Sequence, residues 1–307
     1  MAGFETDTDE LRLESQMNAN AKAYLELLKP RILALVCVTT TFGYFLAGRG
    51  IESWLQLCVL LLGMGSACGG SAALNHYFER ELDGRMNRTR ERPIPSGLIP
   101  PNNAMLFGAV MTLMGVFLLW WRINLLTAFL ALLAAFLYVF VYTPMKKVHW
   151  LNTMVGAIPG AIPPIAGWAA CRGELGAEAW VLFAILFFWQ HPHFYAIAWM
   201  FRKEYGEAGF KMLPVIYPDG KSTFLLIKVT TWILLAVSIL PAWYGSLSVV
   251  YLVGAILGGI FLLRKGNVLA LSKSTDAARG LLKATVLYLP FLLLLTVFDV
   301  VILTSFA

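Results

Sequence analysis

The chain has 307 residues, 59% of them hydrophobic and only 14% charged, with a mean hydropathy of +0.70. An ordinary soluble domain carries roughly a quarter charged residues, so this composition excludes that class and puts the chain in a membrane. The formal net charge of +6 sits in basic clusters between apolar runs. It reads as topology and attraction to anionic headgroups, not as a nucleic-acid surface.

Residues 1–28 form a polar tail, and its first part is net acidic (Glu5, Asp7, Asp9, Glu10, Glu14). Organelle leaders are Arg-rich and acid-poor, so this tail favours a bacterial inner membrane. The rest, 29–307, is expected to be one membrane domain. A span needs about 20 apolar residues. Uncharged stretches of that order predict nine helices, near 32–49, 53–74, 103–121, 124–142, 152–170, 178–200, 222–241, 246–263 and 281–304. The last but one division falls at Pro241-Ala-Trp-Tyr-Gly-Ser246, where Pro and Gly punctuate a long apolar run. With a cytoplasmic N-terminus, only Arg49, Arg122 and Arg172 of the 24 Lys and Arg fall in outer loops. Basic residues are retained on the cytoplasmic side, which makes the N-terminus inside and the C-terminus outside. Gly65-xxx-Gly69, Gly156-xxx-Gly160 and Gly254-xxx-Gly258 predict close helix packing. Cys37, Cys58, Cys68 and Cys171 lack CxxC spacing and read as small buried hydrophobes.

The chemistry gathers at the inner ends of these helices. Asn75, Glu79 and Asp83 lie four apart, and Arg85, Arg88, Arg90 and Arg92 follow at once. Over two steps of four, a helix drifts by only about 80°, so the three oxygen-bearing side chains share a face. Such oxygens can hold Mg²⁺, and Mg²⁺ with arginines binds a diphosphate. At a membrane surface that implies a lipid diphosphate, and hence prenyl chemistry. An ordinary positive-inside loop accounts for the arginines but not for Asn75 and Glu79.

A second cluster, Arg202, Lys203, Glu204 and Glu207, ends the sixth helix, which runs in the same direction as the second. It is either an interfacial helix end or the other half of the clamp. Lys146 and Lys147, after Tyr142-Thr-Pro144, either bind phosphate or mark topology. Inside the sixth helix, Trp189-Gln-His-Pro-His193 puts two histidines and a bending proline in an apolar span. His193 and Glu204 share a face if that helix continues. Imidazole is a natural ligand of haem iron, although a buried histidine also serves as a hydrogen-bonded core residue.

Taken together, 29–300 resembles the UbiA-type intramembrane prenyltransferases, and within them the branch that acts on haem. The matching pieces are Lys29-Pro-Arg31, Asn75-xxx-Glu79-xxx-Asp83-xx-Met86-xx-Thr89-xx-Arg92-Pro93, and Tyr142-Thr-Pro144. Trp189-Gln-x-Pro-His-Phe194, then Glu204-Tyr205-xxx-Gly209 leading to Met212-Leu-Pro214, complete them. Glu79 and Glu204 stand where Asp is common, His191 stands where an apolar residue is expected, and the second motif has one clear carboxylate instead of two.

The resemblance implies an all-α protein with nine helices around a central cavity, farnesyl diphosphate as donor and haem b as acceptor. The product is then haem O, with haem A synthase as a further partner. In that scheme Asn75, Glu79 and Asp83 hold Mg²⁺ with help from Glu204, and Arg88, Arg92, Lys146, Lys147 and Arg202 clamp the diphosphate. His193 and His191 orient the haem. The competing readings are prenylation of another aromatic or chlorin acceptor, and a non-catalytic transporter or haem-binding subunit. A transporter places its charges near the midplane rather than at one face.

Overall fold

The computed structural model describes residues 19–243 and 247–305, with side chains to 302. Among the described residues it contains helices and no strand. In chain order these are α1 (19–27), α2 (Pro30–Gly48), α3 (Trp54–Asp83), α4 (Pro101–Arg122), α5 (Leu125–Val148) and α6 (Asn152–Arg172). After them come α7 (Ala177–Met200), the short α8 (Arg202–Ala208) and α9 (Leu213–Ile216), and then α10 (Lys221–Trp243), α11 (Val249–Ser272) and α12 (Thr275–Ser305). Nine of the described helices are long and apolar enough to cross a membrane.

Several helices run further than the uncharged stretches. α3 continues to Asp83 because nothing between Leu74 and Gly84 breaks it; Glu, Arg and Leu are good helix formers. Its 30 residues span about 45 Å, against about 30 Å of hydrocarbon, so its last turns stand clear of the apolar slab. At the other end Ser53 caps it, accepting from the Gln56 amide at 3.2 Å. α5 carries a π-helical stretch, Leu137–Tyr142, just before Pro144. Proline cannot donate to the preceding turn. The widened stretch is closed by the Thr143 amide and by its hydroxyl, which both reach the Tyr138 carbonyl. α7, by contrast, runs unbroken through Pro192.

α2 to α6 pack as one group and α7 with α10 to α12 as another; α7 meets α6 and α2 at the seam. The tightest crossing joins α2 to α6. A Cβ on Gly43 would lie 1.9 Å from the Pro164 carbonyl oxygen, and one on Gly167 would lie 2.0 Å from that of Thr40. Only glycine allows backbones so close. The expected pairs behave differently: Gly254 and Gly258 accommodate Leu295 and Tyr288, Gly156 and Gly160 accommodate Tyr142 and Gln190, and Gly65 has only an ordinary contact with Leu33. The outer faces carry exposed Leu62, Leu113, Phe117, Leu257 and Leu294, a surface suited to lipid tails.

Candidate active site

At the end of the bundle where α3 finishes, a cavity of about 100 Å³ opens to solvent, walled by Lys29, Glu79, Asp83, Arg88, Arg92 and Lys146. Tyr142, Tyr205 and Phe210 add aromatic surface to it. Asn75, Glu79 and Asp83 are all buried, at 0%, 4% and 1% exposure. Each meets a cation. Lys29 Nζ donates to Asn75 Oδ1 at 2.6 Å, Lys146 Nζ to Glu79 Oε1 at 2.6 Å, and Arg92 to Asp83 Oδ2 at 2.7 Å. The Asn75 amide is turned by its other bond, from Nδ2 to Thr143 Oγ1 at 2.9 Å. Asp83 Oδ1 is buried without a hydrogen-bond partner.

Four separate segments deliver these groups. α3 supplies the oxygen row, and the end of α5 supplies Lys146, whose ammonium also lies 4.5 Å from the Tyr142 ring centroid. The α3–α4 loop folds back because the Thr89 hydroxyl donates to the Asp83 carbonyl at 2.8 Å, which aims Arg92 at the carboxylate. Met86 from this loop packs with Leu82 of α3 against Ala208, Phe210 and Met212, joining the loop to the segment after α7. Arg88 reaches across to the Tyr205 hydroxyl at 3.4 Å and lies over the Phe201 ring. Lys29 comes from the turn between α1 and α2. Desolvation pulls its ammonium down to about 7, against the opposing attraction of Glu79.

Glu79 and Asp83 therefore share the cavity wall with Arg88, Arg92 and Lys146, while Asn75, fully buried and off the wall, joins them through Lys29. Glu204 does not join them. α7 stops at Phe201, where φ is −107° and ψ 18°, and Glu204 lies in the first turn of a new helix that begins at Arg202, half-buried and away from the cavity wall. The face shared by His193 and Glu204 is lost with that break. Arg202 donates to the Trp199 carbonyl at 2.6 Å and stacks on the Trp199 ring, so it caps α7 instead of lining the cavity. Lys147 is exposed and off the wall.

His193 lies seven residues inside the end of α7, about 10 Å by helix rise. Its Nδ1 meets Thr285 Oγ1 at 3.0 Å, and its ring stacks on Trp189. Trp189 in turn donates to the Thr285 carbonyl at 2.8 Å, which fixes the pair against α12. His191 points elsewhere. It is fully buried between Phe187 and Phe188, with Nδ1 donating to the Phe187 carbonyl at 2.7 Å. A second cavity, about 130 Å³, opens at the opposite end of the bundle, but its walls are mostly apolar and include none of these residues.

Among the described residues no three His, Cys, Asp or Glu side chains converge, so the hard donors here are two carboxylates and one amide oxygen. Oxygen donors of this kind suit Mg²⁺. Of the two Asp83 oxygens, only Oδ2 is engaged by a protein group; Oδ1 is buried with none. Lys29, Tyr142 and Tyr205 also line the cavity. All three belong to short motifs of the sequence, Lys29-Pro-Arg31, Tyr142-Thr-Pro144 and Glu204-Tyr205, yet nothing in their spacing points into a common space.

The sequence profile of the UbiA prenyltransferase family matches residues 36–298. A protein of Solibacter usitatus named protoheme IX farnesyltransferase is 44% identical over 285 residues, covering 90% of this chain and 98% of its own. One of the same name from Koribacter versatilis is 42% identical over 287 residues, covering 90% and 92%. Among solved structures, a digeranylgeranylglyceryl phosphate synthase superposes with a TM-score of 0.78 at 19% identity, over 92% of this chain and 98% of the other. A UbiA homolog from Archaeoglobus fulgidus, bound to DMAPP and Mg²⁺, gives 0.62 at 18% identity, over 89% and 98%. The profile match across most of the chain and the identity to full-length relatives agree with the helical architecture: the chain belongs to the UbiA prenyltransferase family.

Proposed function

We propose that the chain transfers the farnesyl group of farnesyl diphosphate to the vinyl group at carbon 2 of haem b, giving haem O. The observation that carries this reading is the buried oxygen row of α3, each member bonded to a cation and two of them, Glu79 and Asp83, on the wall of one cavity, in a chain 44% identical to a farnesyltransferase of protohaem. Arg88, Arg92, Lys146 and Lys29 hold the diphosphate and balance the charge that develops on it as the C1–oxygen bond breaks. Mg²⁺, held by Asn75, Glu79 and Asp83, would supply further neutralisation of the leaving group. Tyr142, Tyr205 and Phe210 supply aromatic wall beside the allylic cation. The vinyl group then forms the new carbon–carbon bond. Water adds to the resulting cation and loses a proton, so that haem b, farnesyl diphosphate and water become haem O and diphosphate.

His193 orients the haem from the Trp189–Thr285 shelf. The active-site loops face the cytoplasm of a bacterial inner membrane, and haem A synthase takes the product onward. The test is purified protein with farnesyl diphosphate, haem b and Mg²⁺, followed by mass spectrometry of the extracted haems. A haem heavier by one farnesyl group and one hydroxyl is expected. Unmodified haem, with prenylation of a quinone precursor or chlorin offered instead, overturns the assignment.

A further inference from the structure

The segment before α2 does more than precede the first span. α1 packs Ala23 and the fully buried Leu27 into a cluster with Ala73, Ile94, Ile99 and Ala104. Leu28 then lies against Gly69 of α3, within 3.0 Å of where a Cβ would be. Held on both sides, Lys29 adopts φ 51° and ψ 67°, the left-handed region, although it is not a glycine and Pro30 follows it. The residue before a proline normally takes an extended conformation. A backbone kept in such a region is held there by its surroundings, and functional sites are where this happens most. Its effect here is to send the side chain inward, to Asn75 Oδ1 at 2.6 Å and the Tyr138 hydroxyl at 3.2 Å.

The consequence lies in how the oxygen row is occupied. Lys29, Lys146 and Arg92 cover one oxygen each of Asn75, Glu79 and Asp83. Arg88, Arg92 and Lys146 outnumber the two carboxylates of the cavity even before Lys29 is counted. A divalent cation arriving alone has to displace bound ammonium and guanidinium groups and enter a space already rich in positive charge. A diphosphate gives those groups a stronger partner and frees the oxygens at the same moment. We infer that Lys29 is a positioning residue that occupies Asn75 until diphosphate arrives, so that metal and diphosphate are taken up together and Lys29 passes from the amide to the phosphate. This rests on the reading of the cavity as a metal–diphosphate site.

The probe is Mn²⁺, titrated by electron paramagnetic resonance into the full-length protein in lipid nanodiscs, with and without inorganic pyrophosphate. For the unaltered chain, affinity for Mn²⁺ should be at least tenfold weaker without pyrophosphate. In Lys29→Met, Mn²⁺ alone should bind at least threefold tighter while binding with pyrophosphate weakens about tenfold. Lys29→Arg should restore the original pattern. Lys29→Gln, which can still donate to Asn75, provides a second variant with milder changes in the same directions. Equal affinity of the unaltered chain with and without pyrophosphate overturns the inference, and so does a Lys29→Met protein whose two affinities stay unchanged or fall together. Farnesyl transfer measured on the same preparation separates the two claims. Turnover alongside equally tight Mn²⁺ binding in both conditions removes the role of Lys29 and leaves the transferase reading standing.

Discussion

Each of the three oxygen-bearing side chains on the α3 face has a cation against one of its oxygens, so a substitution there alters both chemistry and folding. Breaking a buried pair leaves the other charge uncompensated, at a cost of about 3–5 kcal/mol. Glu79→Ala would strand Lys146 in this way, whereas Glu79→Gln keeps an acceptor for it. Asp83 is different, because Arg92 remains 23% exposed and can turn to water. Asp83→Ala is therefore expected to leave the protein in the membrane at near-normal yield while haem O formation falls about a hundredfold or more. Near-normal turnover in both Asp83→Ala and Glu79→Gln would remove the oxygen row from the mechanism. The histidines give a second contrast. His193→Ala takes away a half-buried ring held by Trp189 and Thr285, and should abolish haem O while farnesyl diphosphate still binds. His191→Leu removes a buried Nε2 that has no partner, and should keep at least about half of the activity. Loss of both ligands together in His193→Ala would make that residue structural.

Among the elements, the crossing of α2 and α6 sets the tolerance of the bundle. Adding a methyl at Gly167 drives it into the Thr40 backbone carbonyl, which no rotamer change can relieve. Gly167→Ala should lower the thermal midpoint in detergent by several degrees, in line with overpacking costs of about 1–3 kcal/mol or more. Gly65→Ala, with only Leu33 Cδ1 at 3.6 Å, should leave it unchanged. Equal behaviour of the two variants would mean that the crossing is looser than described.

This contrast also shows what the sequence could and could not reveal. Small-xxx-small spacing marks helices that pack closely, but not which partner each glycine meets. Charges mark where a helix leaves the hydrocarbon, and the structure extends α3, α11 and α12 past those marks because backbone hydrogen bonding continues beyond the apolar slab. The oxygen row was legible because its members lie on one helix with a period that sequence shows directly. Lys29 was not, since its direction comes from a left-handed turn pinned by α1. Glu204 stands off the cavity wall because α7 breaks at Phe201 with no Pro or Gly to announce it, and Arg202 turns back to the Trp199 carbonyl, a contact that only the fold brings together.

For the whole molecule, the distribution of basic residues and the geometry of the site point to the same face. The described helices alternate in direction, so the α2–α3, α4–α5 and α6–α7 connections lie at one end, with Arg49, Arg122 and Arg172. The turn holding Lys29, the α3–α4 loop, the end of α5 and the α7–α10 segment lie at the other, where the oxygen row stands. Lys and Arg are held back from translocation, so the end with the cavity should be cytoplasmic. This is also the face on which a soluble diphosphate product can leave without crossing the bilayer. A reporter fused after residue 175, in the α6–α7 connection, should read as periplasmic, and one fused after residue 215, within α9, as cytoplasmic. Cysteine labelling offers a check that does not truncate the chain: a single cysteine introduced at Gly173 should react with an impermeant maleimide in intact cells, and one at Lys203 only after lysis. The opposite pattern in both assays would put the carboxylates and arginines on the outer face, and the reading of this cavity as a site for a cytoplasmic diphosphate would fall with it.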